Sequence, residues 1–372
     1  MKILVAPDKF KGSLSAAEAA HAISRGWLSA DPSAVLDLAP IADGGEGFAE
    51  TLETALNGTW VHTTVQDPLG RPVDARYLWI SDRSTAVLAM SEASGLWRLH
   101  PEERSAMDAH TFGTGELLRH ATAHGARTIL LGLGGSATTD GGVGMAQALG
   151  FRFLDASGAP LPPAPRHLAG LASIQPPSTG PSPEIIAACD VENPLLGPRG
   201  TAHVFSPQKG ASPYEVAGLE QAMAQLAAIA ARDLGSDFRD IPGAGAAGGI
   251  GFGLLTFCHA RIRSGFTVVS EALGLEDRIA AASLVITGEG RLDDQTLDGK
   301  GPAGVAHLAR RHGKPVLAFA GSIAPAAESL FNLTCPIVDR PVPIAEAMER
   351  GAEFLERAAH RTAKSFLLAK SL

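Results

Sequence analysis

Short apolar segments alternate with helix-forming segments at both ends of the chain, and this alternation restricts the fold more than any other feature. Residues 3–6 and 35–38 are typical of buried strands, and a helix is predicted after each. The first helix begins near Ser15, which opens a capping box. The alternation resumes at residues 284–287, and a long helix is predicted over residues 344–368. Because parallel strands need crossover connections, usually helices, this pattern predicts an α/β fold with a parallel sheet.

The middle of the chain does not follow this alternation. Residues 59–65 and 73–80 are predicted to form a hairpin, followed by a strand at residues 86–90. The proline-rich segment 160–183 is predicted to be a long surface connection. A doubly wound domain built from both chain ends is therefore expected, with a larger mixed α/β domain inserted into it. The predicted boundaries are residues 1–66 with 280–372 for the first domain and residues 67–279 for the second.

Composition restricts the setting and the partners. The 372 residues are 45% hydrophobic and 19% charged, as in a globular protein of about two domains. The three cysteines are far apart, which predicts a reducing compartment and no disulfide scaffold or zinc module. The net charge is −8 without a basic run, so no nucleic-acid partner is expected. The apolar amino-terminal run is too short for a signal peptide, and the uncharged stretch 241–260 contains six glycines. A cytoplasmic location without membrane contact is therefore predicted.

The first two of six polar loops contain lysines or paired carboxylates. Residues 7–13 include Lys9 and Lys11 between the first strand and the first helix, where backbone N–H groups attract anions. The alternative is an ordinary turn with solvated lysines. Asp43 and Glu46 lie among three glycines, a composition that suits a hydrated Mg²⁺. The alternative is a helix cap.

The next three loops are rich in glycine. Residues 132–144 hold six glycines and several hydroxyls, which favours an anion nest. Asp190 follows a predicted strand, and Lys209 lies in a polar loop further along. Residues 243–248 match GxGxxG, but a helix and a short connection precede them, whereas a dinucleotide-binding fingerprint follows a strand. A phosphate or carboxylate nest remains an alternative there.

The sixth loop, residues 287–302, is the richest in charge. Glu289, Arg291, Lys300 and three aspartates lie within it, and a metal ion with phosphates would offset the repulsion among the acids. The sequence has no Walker A motif, no kinase histidine–arginine–aspartate loop, no HExxH and no Gly-x-Ser-x-Gly elbow. By elimination, the residues favour a phosphoryl-transfer enzyme.

Taken together, these loops resemble the type I glycerate kinase family over essentially the whole chain. Lys9, Phe48 and Thr139 depart from the pattern, since serine, threonine and asparagine are usual there, which leaves fine specificity open. The matching runs are APDKFKGSLSA (6–16), PIADGGEG (40–47), GGSATTDGG (134–142), DVENPLLGPRG (190–200), FSPQKGA (205–211), PGAGAAGGIG (242–251) and TGEGRLDDQTLDGKGPAGV (287–305).

The resemblance implies ATP-dependent phosphorylation of D-glycerate with Mg²⁺, on the 2-hydroxyl to give 2-phosphoglycerate. It also implies a Rossmann-like or flavodoxin-like parallel-sheet domain and a second α/β domain, with the active site in the cleft between them. The residues alone do not distinguish 2-phosphoglycerate from 3-phosphoglycerate. An NAD-dependent hydroxy-acid dehydrogenase is the alternative enzyme, and a glycerate-binding regulator would need an output surface that the sequence lacks. The chain could form a homo-oligomer.

Roles for single residues follow from that reaction as hypotheses. Lys11 and Lys209 are predicted to contact anionic oxygens, Asp190 to act as general base, and Arg71 and Arg291 to clamp the glycerate carboxylate. Further substrate contacts are predicted for Asp8, Ser136, Asn193, Gln208 and Glu289. Phosphate contacts are predicted for Gly134, Gly135, Gly245, Gly248 and Lys300, and Mg²⁺ contacts for Asp43, Glu46 and Asp293.

Overall fold

The computed structural model describes residues 1–42, 44–45, 47–178, 183–293 and 301–370. The chain forms two compact units. Unit 1 comprises Met1–Asp43, Glu50–Leu56 and Phe266–Leu372, so both chain ends belong to it. Unit 2 comprises Gly44–Ala49 and Asn57–Gly265.

Unit 1 is built on a parallel sheet. Its strands are β1 (Lys2–Val5), β2 (Val35–Leu38), β11 (Leu284–Leu292), β12 (Val316–Ile323) and β13 (Leu333–Pro336). The strand order is β13-β12-β11-β1-β2, and Ile3 on β1 pairs with Leu284 on β11 and with Leu36 on β2. Every pairing in this sheet is parallel. Helices connect β1 to β2, β11 to β12 and β12 to β13, whereas unit 2 lies in the chain between β2 and β11.

Several helices belong wholly or partly to unit 1. They are α1 (Ala16–Ala30), α2 (Phe48–Leu56), α9 (Gly265–Ala272), α10 (Leu275–Ala281), α11 (Gly301–Arg311), α12 (Pro325–Glu328), α13 (Ile344–Glu349) and α14 (Gly351–Lys370). The predicted capping box starts α1, because Ser15 accepts from the Glu18 N–H while Glu18 accepts from the Ser15 N–H. Ile3, Trp27, Phe319 and Phe354 lie in the core, which joins the first and last helices of the chain to the sheet.

Unit 2 contains a mixed sheet. Its strands are β3 (Thr59–Gln66), β4 (Pro72–Ile80), β5 (Thr85–Ala89), β6 (Thr128–Gly132), β9 (Glu184–Ala188) and β10 (Arg261–Arg263), in the order β10-β9-β6-β5-β4-β3. The predicted hairpin β3–β4 is antiparallel, and β5, β6, β9 and β10 are parallel to one another. A separate hairpin pairs β7 (Arg152–Leu154) with β8 (Ser173–Gln175). The predicted α/β class, with one parallel and one mixed sheet, is confirmed.

Helices of unit 2 contribute to three apolar clusters of the described residues, one of them around α7. They are α3 (Ser91–Ser94), α4 (Phe112–Ala123), α5 (Val143–Ala148), α6 (Thr201–Phe205), α7 (Pro213–Leu234) and α8 (Ala246–Cys258). The uncharged stretch predicted to be a loop and helix supplies α8, which is almost wholly buried. No helix in the described part of the chain is long and apolar enough to cross a membrane.

Two predicted elements differ in the structure. The helix predicted over residues 344–368 is two helices, because the chain leaves helical geometry at Arg350 (φ −99°, ψ 21°) and the Met348 carbonyl accepts from Ser13 Oγ. The segment 160–183 is not wholly a surface connection, since it contributes β8. Leu168, Leu171 and Ile174 within it are buried in the cluster around α7, so apolar burial outweighs the proline content.

Candidate functional site

A cavity of about 870 Å³ lies in unit 1 at the carboxyl end of its parallel strands. Loops that follow parallel strands are the usual place for ligands in open α/β sheets. The cavity brings together five residues that the sequence predicts to be functional, namely Asp8, Lys11, Glu289, Arg291 and Asp293. Lys9 also lines this cavity.

Asp8 lines this cavity and is held in place by backbone groups. Its own N–H donates to the Gly288 carbonyl at 2.8 Å, which continues the pairing of β1 with β11. Its carboxylate accepts from the Lys9 N–H at 2.6 Å and is buried. At Gly301 (φ +46°), the first residue of α11, a Cβ atom would lie 2.9 Å from Asp8 Oδ2. A side chain at residue 301 would therefore be strained and would displace this carboxylate.

The charged residues on β11 and just after it alternate along the chain. Residues two apart in a strand point to the same face, so Glu289, Arg291 and Asp293 reach the cavity while Leu292 is buried. Arg291 Nε lies 3.0 Å from Asp293 Oδ2, and the Arg291 side chain is largely exposed. Arg291 therefore lines the cavity as one partner of an ion pair.

Part of the cavity lining is apolar, and sequence reasoning missed it. It is formed by Ile337, Val338, Val342, Ile344, Ala347 and Met348, which we call the apolar wall. Ser13 Oγ donates to the Met348 carbonyl at 2.5 Å and fixes α13 against the lysine-bearing loop. Ile344 and Met348, which are exposed on α13, were the available signal in the sequence. They were missed because one long helix was predicted over this region.

A second candidate site lies in unit 2, where the loops after parallel strands surround a buried lysine. Lys209 is only 1% exposed, and its Nζ donates to Ser136 Oγ at 2.8 Å and to the Thr138 carbonyl at 2.6 Å. Desolvation by burial lowers the pKa of Lys209 to about 7, and the nearby Asp140 carboxylate opposes that shift. The lysine thus holds the glycine-rich loop after β6 from inside, rather than projecting into solvent as a lysine usually does.

Asp140 is a fixed negative charge beside this lysine, and the sequence analysis assigned it no role. It is fully buried and accepts from the Thr111 N–H at 2.8 Å and the Thr111 hydroxyl at 2.7 Å. The N–H groups of Gly142 and Gly144 donate to it as well. The available signal was an aspartate among glycines directly before a helix, a common position for a capping carboxylate.

Asp190 follows β9 and is tied to the end of the neighbouring strand β10. Its Oδ1 accepts from Ser264 Oγ at 3.0 Å and from the Gly265 N–H at 3.1 Å. Asn193 is nearby in sequence, and its side-chain amide donates to the Arg199 carbonyl at 2.7 Å. Asp190 is therefore oriented by two donors, whereas Asn193 stabilises its own loop.

The glycines predicted to bind phosphate occupy two different environments. Gly134 and Gly135 are at least partly exposed in the loop after β6, whereas Gly245 and Gly248 are buried. The Gly245 N–H donates to the Asn193 carbonyl at 2.9 Å. At Gly248 (φ +79°), a Cβ atom would lie 1.8 Å from the Thr138 carbonyl oxygen. Gly248 therefore allows close packing between two loops of unit 2.

The GxGxxG segment does not have the setting of a dinucleotide fingerprint. Helix α7 and a connection without a strand precede it, and Ala247, Gly248 and Gly249 have left-handed backbone angles. A Rossmann fingerprint requires a strand directly before the glycines and a regular helix after them. The dehydrogenase alternative therefore loses the motif on which it depended.

Arg71 and Gln208, both predicted to contact substrate, lie in unit 2. Arg71 Nε donates to Asp67 Oδ2 and Arg71 Nη1 to Glu103 Oε1, each at 2.6 Å. The hydrogen bonds to Glu103 and Asp67 raise the pKa of Arg71 above its usual range. A bidentate clamp on a substrate carboxylate would require Arg71 to release one of these partners. Gln208 is exposed beside Lys209.

Three predicted contacts lie outside the described residues, namely Asp43, Glu46 and Lys300. Asp293, the remaining predicted Mg²⁺ ligand, is ion-paired with Arg291. Within the described ranges, no group of three or more His, Cys, Asp or Glu side chains is arranged to hold a metal ion. The described donors therefore do not form a protein-held Mg²⁺ site by themselves.

Comparison with known proteins gives a consistent result. The model of the glycerate kinase family matches residues 3–367. The chain is 45% identical to a glycerate kinase of Bacillus subtilis, over the whole of this chain and 99% of that protein. It is 43% identical to the glycerate 2-kinase of Escherichia coli, over 87% of this chain and 86% of that protein.

A solved structure is similar over its full length. The crystal structure of a Salmonella typhimurium LT2 protein assigned as glycerate kinase 2 superposes with a TM-score of 0.89 at 42% identity, and all of both chains is covered. The match of the family model to nearly the whole sequence, together with these relatives, shows that the chain is an enzyme that belongs to the glycerate kinase family.

Proposed function

We propose that the protein transfers the γ-phosphoryl group of Mg²⁺-bound ATP to the 2-hydroxyl of D-glycerate, giving 2-phosphoglycerate and ADP. The observation that carries this proposal is the match of the glycerate kinase family model to residues 3–367. The relative named glycerate 2-kinase, 43% identical to this chain, favours the 2-hydroxyl as acceptor. The absence of a strand before the GxGxxG segment argues against hydride transfer to a nicotinamide.

The reaction forms one bond and breaks another. The 2-hydroxyl oxygen attacks the γ-phosphorus, the bond from that phosphorus to the β–γ bridging oxygen breaks, and ADP leaves. The hydroxyl proton passes to a base. The protein contributes mainly position and charge to such a transfer, because little covalent chemistry is left for it to do.

Asp190 is the proposed base. Its Oδ1 is oriented by Ser264 and Gly265, so the side chain needs little reorganisation to accept a proton from a bound hydroxyl. It follows a parallel strand, at the edge of the sheet where ligands of α/β proteins are usually bound. A positioned carboxylate at this edge matches the requirement for proton removal from the acceptor.

Positive charge in both units supports the same reaction. Lys9, Lys11 and Arg291 line the unit 1 cavity and can neutralise phosphate oxygens. In unit 2, Lys209 holds Ser136, so a substrate that contacts the Ser136 hydroxyl would meet a group already fixed in place. Lys209 is buried, so we expect it to act on substrate through Ser136 and Thr138.

Phosphorus NMR of the reaction with ATP and D-glycerate tests this function. We expect a new phosphomonoester resonance whose coupling identifies 2-phosphoglycerate, appearing together with ADP. A reaction without D-glycerate, and one with L-glycerate, are the controls. Formation of 3-phosphoglycerate would contradict the proposed acceptor, and ADP release that does not depend on glycerate would contradict the proposed kinase activity.

A further inference from the structure

The lining of the unit 1 cavity has two chemically different parts. Lys9, Lys11 and Arg291 supply positive charge to its lining, and the apolar wall supplies aliphatic side chains. Ser13 joins the two parts, because it belongs to the lysine-bearing loop and donates to the Met348 carbonyl. The apolar wall is therefore held beside the charged loop, and a ligand that fills the cavity contacts both.

D-glycerate does not match such a cavity. It is a three-carbon acid with two hydroxyls, so it has almost no apolar surface to bury, and contact with aliphatic side chains would desolvate its polar groups without replacing their hydrogen bonds. A volume of about 870 Å³ is in the range of pockets that bury ligands of drug-like size. The ligand is therefore larger than glycerate and partly apolar.

We infer that the unit 1 cavity is the nucleotide site, with the adenine base against the apolar wall and the phosphates beside Lys9 and Lys11. Adenine has flat apolar faces that aliphatic side chains can cover, and the triphosphate supplies the negative charge that the lysines attract. This inference rests on the proposed function, because it names the site of the phosphoryl donor in that reaction.

Carboxylates also line the cavity, and they limit how much negative charge a bound ligand can carry. Asp8 is buried and Glu289 is partly buried, so a polyphosphate without a counter-ion would be repelled by them. Asp293 forms an ion pair with Arg291 and offsets part of the positive charge that Arg291 brings to the cavity. The lining therefore favours a nucleotide whose phosphates carry a divalent cation over the same nucleotide alone.

Calorimetric titration of the full chain with ATP and with AMP, with Mg²⁺ present, tests the inference directly. Ile344 is 79% exposed on the apolar wall, so Ile344→Asp should fold, and we expect it to weaken binding of both nucleotides about tenfold. Lys11→Gln should weaken ATP binding more than AMP binding, because it removes charge beside the longer phosphate chain. Leu368→Asp, at a 65% exposed apolar position on α14 outside the cavity, is the matched control and should bind both nucleotides normally.

The Michaelis constants of the same variants separate this inference from the proposed function. We expect Ile344→Asp to raise the KM for ATP and leave the KM for D-glycerate within about twofold. Unchanged ATP affinity in Ile344→Asp, with turnover of the unmodified protein intact, would overturn the nucleotide site and leave the kinase proposal standing. Weakened nucleotide binding in a protein that never phosphorylates glycerate would support the site and overturn the proposed function.

Discussion

Lys209 donates from Nζ to Ser136 Oγ over 2.8 Å while its side chain is almost completely enclosed in unit 2. Desolvation lowers the pKa of this lysine to about 7, so near neutral pH it exists as a mixture of ammonium and amine. An ammonium donates three hydrogen bonds, whereas an amine donates two and can also accept one. The loop that carries Ser136 and Thr138 therefore depends on a group that titrates close to physiological pH.

The stability of the protein should rise with pH because of Lys209. The folded-state pKa of about 7 lies below the unfolded value of 10.5, so the unfolded chain binds more protons between these limits. The penalty for burying the charge is complete below about pH 7 and is relieved as the pH rises toward 10.5. Relative to Lys209→Met, the unmodified protein should gain about 2 kcal/mol in unfolding free energy between pH 7 and pH 9.

Urea unfolding of both proteins at several pH values measures this difference. Lys2→Met, at an exposed position in unit 1, is the control and should show no comparable change with pH. The difference in unfolding free energy between Lys209→Met and the unmodified protein could instead stay constant from pH 7 to pH 9. That result would mean that the lysine keeps an ordinary pKa in the folded state.

Asp190→Asn should lower turnover sharply while preserving the fold. Asparagine keeps an oxygen that can accept from Ser264 and Gly265, but it is not basic enough to remove the hydroxyl proton. We expect kcat to fall by roughly 10²- to 10⁴-fold, with little change in either KM. Ser264→Ala, which removes one orienting hydrogen bond and keeps the carboxylate, should have a much smaller effect. Near-normal turnover in Asp190→Asn would exclude this residue as the base.

Gly248→Ala should destabilise unit 2, whereas Gly218→Ala should stabilise it. At Gly248 the new methyl group would meet the Thr138 carbonyl at 1.8 Å in a left-handed backbone conformation, and we expect a loss of about 3 kcal/mol. Gly218 lies inside α7 with open space around it, so alanine there should add roughly 0.5–1 kcal/mol. Thermal or urea unfolding compares the two variants. If Gly248→Ala were as stable as Gly218→Ala, the loops near Gly248 would be able to adjust without a cost in unfolding free energy.

Titration with NAD should give no saturable signal. The Gly245 N–H is already donated to the Asn193 carbonyl, and left-handed residues interrupt the start of α8, so the segment presents no regular helix terminus to a pyrophosphate. Tryptophan fluorescence detects binding, and ATP serves as the positive control. Saturable binding of NAD in the micromolar range would restore the dehydrogenase alternative.

Many of the strands and helix starts could be predicted from local sequence patterns. The strand β2 coincides with the predicted residues 35–38, and the hairpin β3–β4 lies within one residue of its prediction, because burial on each face imposes a short period on the sequence. The capping box at Ser15 is equally local, since it involves groups only three residues apart. Features set by neighbours in the chain were therefore predictable.

The site was less predictable because its chemistry depends on contacts between distant segments. A lysine followed by glycine reads as an exposed loop residue, and only the approach of the loop after β6 to Lys209 reveals that it is buried. Likewise, Arg71 reads as a free guanidinium until Glu103, thirty-two residues away, reaches it. The part of the apolar wall on α13 was hidden because the end of this helix contacts Ser13, from the opposite end of the chain.

Strand β1 lies between β2 and β11, although β11 begins only at Leu284. During translation, β1 and β2 therefore leave the ribosome long before their remaining partners, and a two-stranded pair is marginally stable alone. All the strands of unit 2 are available by then, so unit 2 should fold first. The amino-terminal segment must wait, exposed, for the last quarter of the polypeptide, and during this delay its unpaired strands are open to aggregation.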